Sequence, residues 1–300
     1  MRMWKMRYFM RVLFLGAILW LSLGGMSSGD NMIAVTCMPR VVRQGGVCLV
    51  TLSGSPSLAS AHGEFEGNRF PMGRGGHDGV FQGLLGIDMK TTPGTYMVRG
   101  VAEDHQHEHT EGMFPLEVGK SDFGVQRLTL PPSKVDLDSK TLERVRKEAE
   151  RVRAVLGAYR DKQLWSGPFM PPVKGAVTSP FGIRRILNGQ ERSPHTGVDL
   201  RAAEGTPIRA CNNGVVVLAD DLFFSGKMVV LDHGWGMYSM YSHLSKTLVC
   251  EGDGVAKGEV IGLAGSTGRV TGPHLDWRIR LNGARVDPLL VLELTEHLGE

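Results

Sequence analysis

Short alternating apolar runs, cut every few positions by glycine, restrict this chain to β-rich folds. The 40 glycines in 300 residues exceed average usage, and each can close a tight turn without steric cost. Ile33-Ala34-Val35-Thr36-Cys37 and Val47-Cys48-Leu49-Val50-Thr51-Leu52 are two such runs. Val80 to Ile87 and Thr95 to Val101 are two more, and Gly45-Gly46, Gly75-Gly76 and Pro93-Gly94 punctuate them. Several short strands at this spacing predict an antiparallel β-sandwich of Ig-like type over residues 29–119.

The pattern then changes. Leu142, Val145, Ala149, Val152, Leu156 and Tyr159 recur at helical spacing with charged residues between them, and Asp138 or Ser139 can cap the start. Residues 120–172 therefore read as a linker with a spacer helix, closed by Pro171-Pro172. Residues 173–292 return to short strands, among them Val215–Leu218, Met228–Leu231 and Val260–Ala264, and 293–300 read as a short polar tail. The expected fold class is mainly β: a sandwich, a helical spacer and a second antiparallel domain.

Arg2, Lys5, Arg7 and Arg11 precede an apolar stretch from Val12 to Leu23, with small residues after it. This is the layout of a secretory signal over residues 1–28, and the apolar run is short for a membrane span. A cleaved signal is the first expectation and an uncleaved anchor the second. Both place the body outside the cytoplasm, periplasmic or extracellular. An oxidising compartment allows one disulfide per domain, Cys37–Cys48 and Cys211–Cys250; buried free thiols are the alternative. The formal charge of +3 gives no basis for nucleic-acid binding.

Chemistry concentrates late in the chain. In Thr271-Gly272-Pro273-His274-Leu275-Asp276-Trp277-Arg278, the residues at 274 and 276 share one face of a strand. His195 and Asp199 form a His-x-x-x-Asp pair, with Pro194 and Gly197 favouring a turn that runs into a strand over a helix. Tyr241-Ser242-His243-Leu244 adds a further imidazole. Three protein ligands and one open position are what a catalytic zinc requires. His105, His107 and His109 also alternate, but they crowd one strand near a hairpin tip and read as a solvated loop, with an accessory metal site as the alternative. His233 reads as structural.

The set of segments is specific. Ser179-Pro180-Phe181-Gly182, His195 to Asp199, Gly205-Thr206-Pro207, Leu231-Asp232-His233-Gly234, Tyr241 to Leu244, Gly252 to Gly258 and the 271–278 run occur in this order. From about Val173 to Leu292 the chain closely resembles the LytM/lysostaphin-type zinc metallopeptidases, peptidoglycan endopeptidases. The resemblance implies that His195 and Asp199 bind Zn2+ and that His243 and His274 are catalytic and not ligands. It implies peptidoglycan stem peptides as substrate. Family members usually carry His-x-His in the last motif, so Asp276 stands at the position of the third ligand. A carboxylate can ligate zinc, and its extra negative charge makes a weaker Lewis acid.

Two other readings stand beside this one. Some family members are degenerate and regulate cell-wall amidases without cutting, which would make an amidase or other wall machinery the partner. Separately, Gly252 to Gly262 resembles the hairpins of biotinyl and lipoyl carrier domains, consistent with a wall-binding module. Tyr241, Trp277 and Arg278 are expected to line the groove beside the metal because they adjoin the motifs.

Overall fold

The protein is described from a computed structural model, which covers residues 32–128 and 137–297. The expected export segment, 1–28, lies outside the described residues. The N-terminal strands are β1 (Ala34–Met38), β2 (Val41–Arg43), β3 (Val47–Ser53), β4 (Leu58–Phe65), β5 (Asn68–Arg74), β6 (Val80–Gly86), β7 (Gly94–Asp104) and β8 (His109–Gly119). They form an eight-stranded sheet in the order β1-β3-β6-β5-β4-β7-β8-β2, antiparallel except for β2 beside β8. The sheet curls until β1 lies against β7 and β8, and Val35, Val50, Leu52, Phe70, Phe81, Val98 and Leu116 fill the space enclosed. His105 and His107 lie in the exposed turn between β7 and β8 and His109 opens β8, also exposed; His107 sits at φ 64° and its ring meets Glu103.

Strand β9 (Val125–Leu128) follows, then helix α1 (Ser139–Gly157). Asp138 caps the helix as expected, its side chain accepting from the Thr141 amide at 2.7 Å. The C-terminal part holds β10 (Val177–Ser179), β11 (Arg184–Leu187), β12 (Gln190–Arg192), β13 (Val198–Leu200), β14 (Pro207–Arg209), β15 (Gly214–Leu222) and β16 (Gly226–Gly234). It continues with β17 (Met237–Thr247), β18 (Gly254–Val255), β19 (Val260–Ala264), β20 (Leu275–Leu281), β21 (Ala284–Val286) and helix α2 (Pro288–His297). Its main sheet runs β10-β13-β20-β17-β16-β15-β18, with β14, β19 and β21 attached at the side. Of the stretch expected as a polar tail, residues 293–297 form the second half of α2, anchored by buried Thr295, whose hydroxyl accepts from the Phe169 amide at 3.0 Å, and the remainder lies outside the described residues.

The main sheet is covered on both faces. One face carries Leu275, Trp277, Ile279, Met237 and Tyr241 into the larger core. The other carries Tyr238 and Met240 into a smaller cluster closed by Val152, Val155 and Leu156 of α1. Helix α1 thus packs its apolar stripe on the C-terminal sheet. Arg151 reinforces the contact by pairing with Asp220 and Glu251. The rest of the expected linker is equally committed: β9 pairs in parallel with β11, and the Leu164 amide donates to the His233 carbonyl at 2.8 Å.

The two sheets share a core. Cys48, Val50 and Leu52 of β3 face the first sheet's interior, whereas Val47 and Leu49 belong to the cluster of the second. This explains why β3 is buried almost throughout and not at alternate positions. Arg285 crosses between the sheets to Asp88, with Nε at 2.8 Å from Oδ2. The four cysteines are free thiols. Cys211 packs in the core beside His233 while Cys250 lies on an exposed turn, so this pair makes no bridge. Cys37 and Cys48 are buried neighbours and likewise unbridged.

Candidate metal and catalytic site

Strands β13 and β20 set the geometry. Their antiparallel register places Asp199 directly opposite Asp276. Like charges in that relation repel, so the arrangement needs compensation. Gly197 permits the close approach, since a Cβ there would lie 2.4 Å from the Trp277 carbonyl oxygen and from Cγ of Arg278. His195 reaches the same point from the turn before β13, held by its own amide donating to the Ile183 carbonyl at 2.9 Å.

Among the described residues, His195, Asp199 and Asp276 are the group able to hold a metal, with one ligand atom from each within 4.8 Å of the others. All three are buried. Both ring nitrogens of His195 and Oδ1 of Asp199 are buried without a hydrogen-bond partner. His195 Nε2 comes within 2.9 Å of Asp199 Oδ1, but not in hydrogen-bonding geometry. Buried polar atoms left without partners are expensive, and a cation among them removes the cost. One imidazole and two carboxylates are a competent donor set for zinc.

Each carboxylate also has its own arginine. Arg185 donates to Asp199 Oδ2 at 2.8 Å. Arg278, two residues along β20 and on the same face, donates through Nε to Asp276 Oδ1 at 3.0 Å and through Nη2 to Oδ2. Burial would raise the Asp276 carboxyl, but the Arg278 charge, followed by His195, holds it well below the ordinary carboxylate range. Burial acts against the Arg278 cation, and Asp276 more than restores it.

His243 reaches the site through a backbone irregularity. Along β17 the residues 237, 239 and 241 face the larger core and 238, 240 and 242 the other side, so strict alternation would send residue 243 into the core. His243 instead has φ 67°, within a bulge where β17 carries an extra residue against β16. Such a bulge re-aims a side chain, and left-handed backbone at a non-glycine residue is a mark of functional sites. The His243 and His274 rings then lie 4.9 Å apart, centroid to centroid.

Backbone carbonyls fix both tautomers. Nδ1 of His243 donates to the Thr267 carbonyl at 2.9 Å, and Nδ1 of His274 donates to the Gly272 carbonyl at 2.8 Å. Each Nε2 is left as a lone pair facing the carboxylates: His243 Nε2 is 3.9 Å from Asp276 Oδ2, and His274 Nε2 is 3.8 Å from Asp199 Oδ1. Burial pushes the His243 imidazole down to about 4, against the opposing pull of Asp276, which keeps it neutral and able to accept a proton.

The five residues expected in the site therefore converge. Arg278 lines the groove as expected; Tyr241 and Trp277 do not. Both are fully buried on the opposite face, because β17 and β20 alternate and Tyr241 pairs in register with Trp277. Arg185 was missed, and its only trace in the sequence is a basic residue between the Phe181-Gly182 segment and His195. The groove has a volume of about 1290 Å³ and is walled on one side by α1 through Leu142, Val145, Ala149 and Arg153.

Residues 193–288 match the model of the peptidase family M23. A crystal structure of a peptidase M23 from Pseudomonas aeruginosa is 30% identical, covers 84% of this chain and 95% of that one, and superposes with a TM-score of 0.65. The DD-carboxypeptidase/endopeptidase Mpg of Neisseria meningitidis serogroup B is 41% identical over 130 residues, 43% of this chain and 30% of that protein. The peptidoglycan DD-endopeptidase ShyA of Vibrio cholerae is 40% identical over 117 residues, 39% of this chain and 27% of that protein. The matched region spans less than a third of the length of these curated relatives.

Proposed function

Because the chain belongs to the peptidase family M23, we propose that it is a zinc endopeptidase that cuts peptide cross-links in peptidoglycan. The observation that carries this is the convergence of His195, Asp199 and Asp276, with the His195 nitrogens and Asp199 Oδ1 left without partners, beside two imidazoles whose Nε2 atoms face the carboxylates. The name of the Vibrio relative, a peptidoglycan DD-endopeptidase, points to the same substrate.

His195, Asp199 and Asp276 would hold the ion. Bound there, zinc supplies Lewis acidity for the scissile carbonyl and makes water a better nucleophile near neutral pH. The chain does the proton work. With its Nδ1 committed to a carbonyl, either His243 or His274 can take a proton at Nε2, and the other can hold the developing oxyanion or deliver a proton to the leaving amine. Arg185 and Arg278 draw charge from the two carboxylates and so offset the lost Lewis acidity that a second acidic ligand brings.

An exported location fits this substrate and the basic-apolar N-terminus. The N-terminal sheet is read as Ig-like because its order, β1-β3-β6-β5 continuing into β4-β7-β8, follows the ABED and CFG sheets of that fold.

The test is incubation of purified protein with peptidoglycan, with and without chelator. New amino ends should appear, stop with chelator and return with zinc. In Asp276→Ala both zinc content and cleavage should be lost; full zinc content in that variant removes Asp276 from the ligand set. Binding without cleavage by metal-loaded wild type points to the non-hydrolytic regulator.

A further inference from the structure

Asp276, Arg278 and Arg280 alternate along β20 and all three line the groove. The first two satisfy each other. Arg280 makes no direct hydrogen bond or ion pair among the described residues, and Asp88 attracts it only at longer range. Its opposite neighbour on β21 is Arg285, a like charge that is itself taken by Asp88. On the other side it is in register with Tyr238, whose hydroxyl is given to the Ala158 carbonyl. Arg280 is only partly exposed, and burial together with Arg285 and Arg278 pushes its guanidinium down to about 10 against the opposing pull of Asp88.

An arginine that is half-buried, faced by a second arginine and left without a direct acceptor is in an unfavourable position. Its five N–H donors form a fork suited to a carboxylate. Arg153 of α1 lines the same groove, and it too lacks an acidic partner among the described residues, whereas Arg144 and Arg151 of the same helix are paired. The acidic side chains that line the groove are Glu148, Asp199 and Asp276, and each is already engaged by an arginine.

We propose that Arg280 is an anion subsite that takes a free carboxylate of the peptide substrate, with Arg153 adding positive charge from the facing wall. This rests on the hydrolase reading above and names what the groove selects. The strand supplies a ruler: four residues from Asp276 to Arg280 at about 3.3 Å each set the subsite about 13 Å from the metal ligand, the span of about four residues of extended peptide. The preferred substrate is therefore an acidic peptide whose carboxylate lies several residues from the cut bond.

The test compares two synthetic cross-linked stem peptides, one with free carboxylates and one fully amidated. Both are offered to the zinc-loaded full chain and to the chelator-stripped chain. Wild type should favour the free acid in kcat/KM by about tenfold to a hundredfold, the factor one charge-assisted pair supplies. Arg280→Gln should raise KM for the acid by that factor, leave kcat nearly unchanged, and leave the amidated peptide unaffected; Arg280→Lys should recover part of the preference. Binding to the stripped chain should show the same order. Equal cleavage and equal binding of the two peptides by wild type, or an Arg280→Gln variant that melts normally and keeps the preference, overturns the subsite and leaves the hydrolase reading intact. If wild type cuts neither peptide, the hydrolase reading falls, and binding to the stripped chain alone decides the subsite.

Discussion

Two histidines on β16 and β17 are both buried, and burial pushes both down to about 4, yet their nitrogens are committed differently. His233 has both nitrogens occupied: Nδ1 meets the Asn213 carbonyl at 2.6 Å and Nε2 meets Ser239 Oγ at 2.7 Å. Ser239 Oγ is 2.9 Å from Tyr241 Oη, which accepts from the Cys211 amide at 2.9 Å, so the network runs through the core under the site. His243 has one nitrogen occupied and one presented to the carboxylates. A lowered imidazole thus marks burial alone. What separates scaffold from chemistry is the nitrogen left over, and the backbone that aims it.

The comparison breaks most sharply under mutation. His243→Ala should lower kcat/KM by about a hundredfold to ten-thousandfold, the range that a general acid or base supplies, with little change in melting temperature. His233→Ala should do the reverse. It strands the Asn213 carbonyl and the Ser239 hydroxyl in the core and opens a cavity, costing about 3 kcal/mol in chemical denaturation. Should His233→Ala melt like wild type and still lose activity, the scaffold role assigned to it is wrong.

A pH titration sharpens the same contrast. His233 sits near 4 in the folded chain and near 6.5 unfolded. Below 6.5 the unfolded chain takes up a proton that the folded one refuses, so stability is complete above 6.5 and declines as pH falls toward 4. The loss amounts to about 3 kcal/mol over that window. Urea midpoints measured across it should show this slope in wild type and lack much of it in His233→Phe.

The motif strands and the cap at Asp138 were legible because each depends on local spacing, whereas the convergence of His195, Asp199 and Asp276 was legible only through the family resemblance of the whole set of segments. The placement of Tyr241 and Trp277 was not. Adjacency to a motif says nothing about which face a residue takes, and the bulge that turns His243 away from the Tyr241 face leaves no mark in composition. The shared core was hidden for a similar reason: β3 reads as one buried strand whether it has one covering layer or two. Helix α2 was hidden because Leu289, Leu290, Leu292 and Leu294 surround it without a clear stripe.

The last contrast is within the ligand set. Asp276, unlike His243, has both of its polar atoms engaged, and Arg278 is what engages them. If the arginine exists to neutralise and orient an acidic ligand, its worth should depend on that ligand being acidic. Arg278→Met should weaken zinc binding by about tenfold to a hundredfold, the usual effect of removing the group that orients a metal ligand. In an Asp276→His background the same substitution should cost little, because an imidazole needs no counter-charge. Zinc affinities from chelator competition on the four proteins give the coupling directly. Equal losses in both backgrounds would mean that Arg278 serves the fold and not the ligand. A gain in affinity on removing it would mean that its positive charge opposes the ion more than its hydrogen bonds arrange the carboxylate.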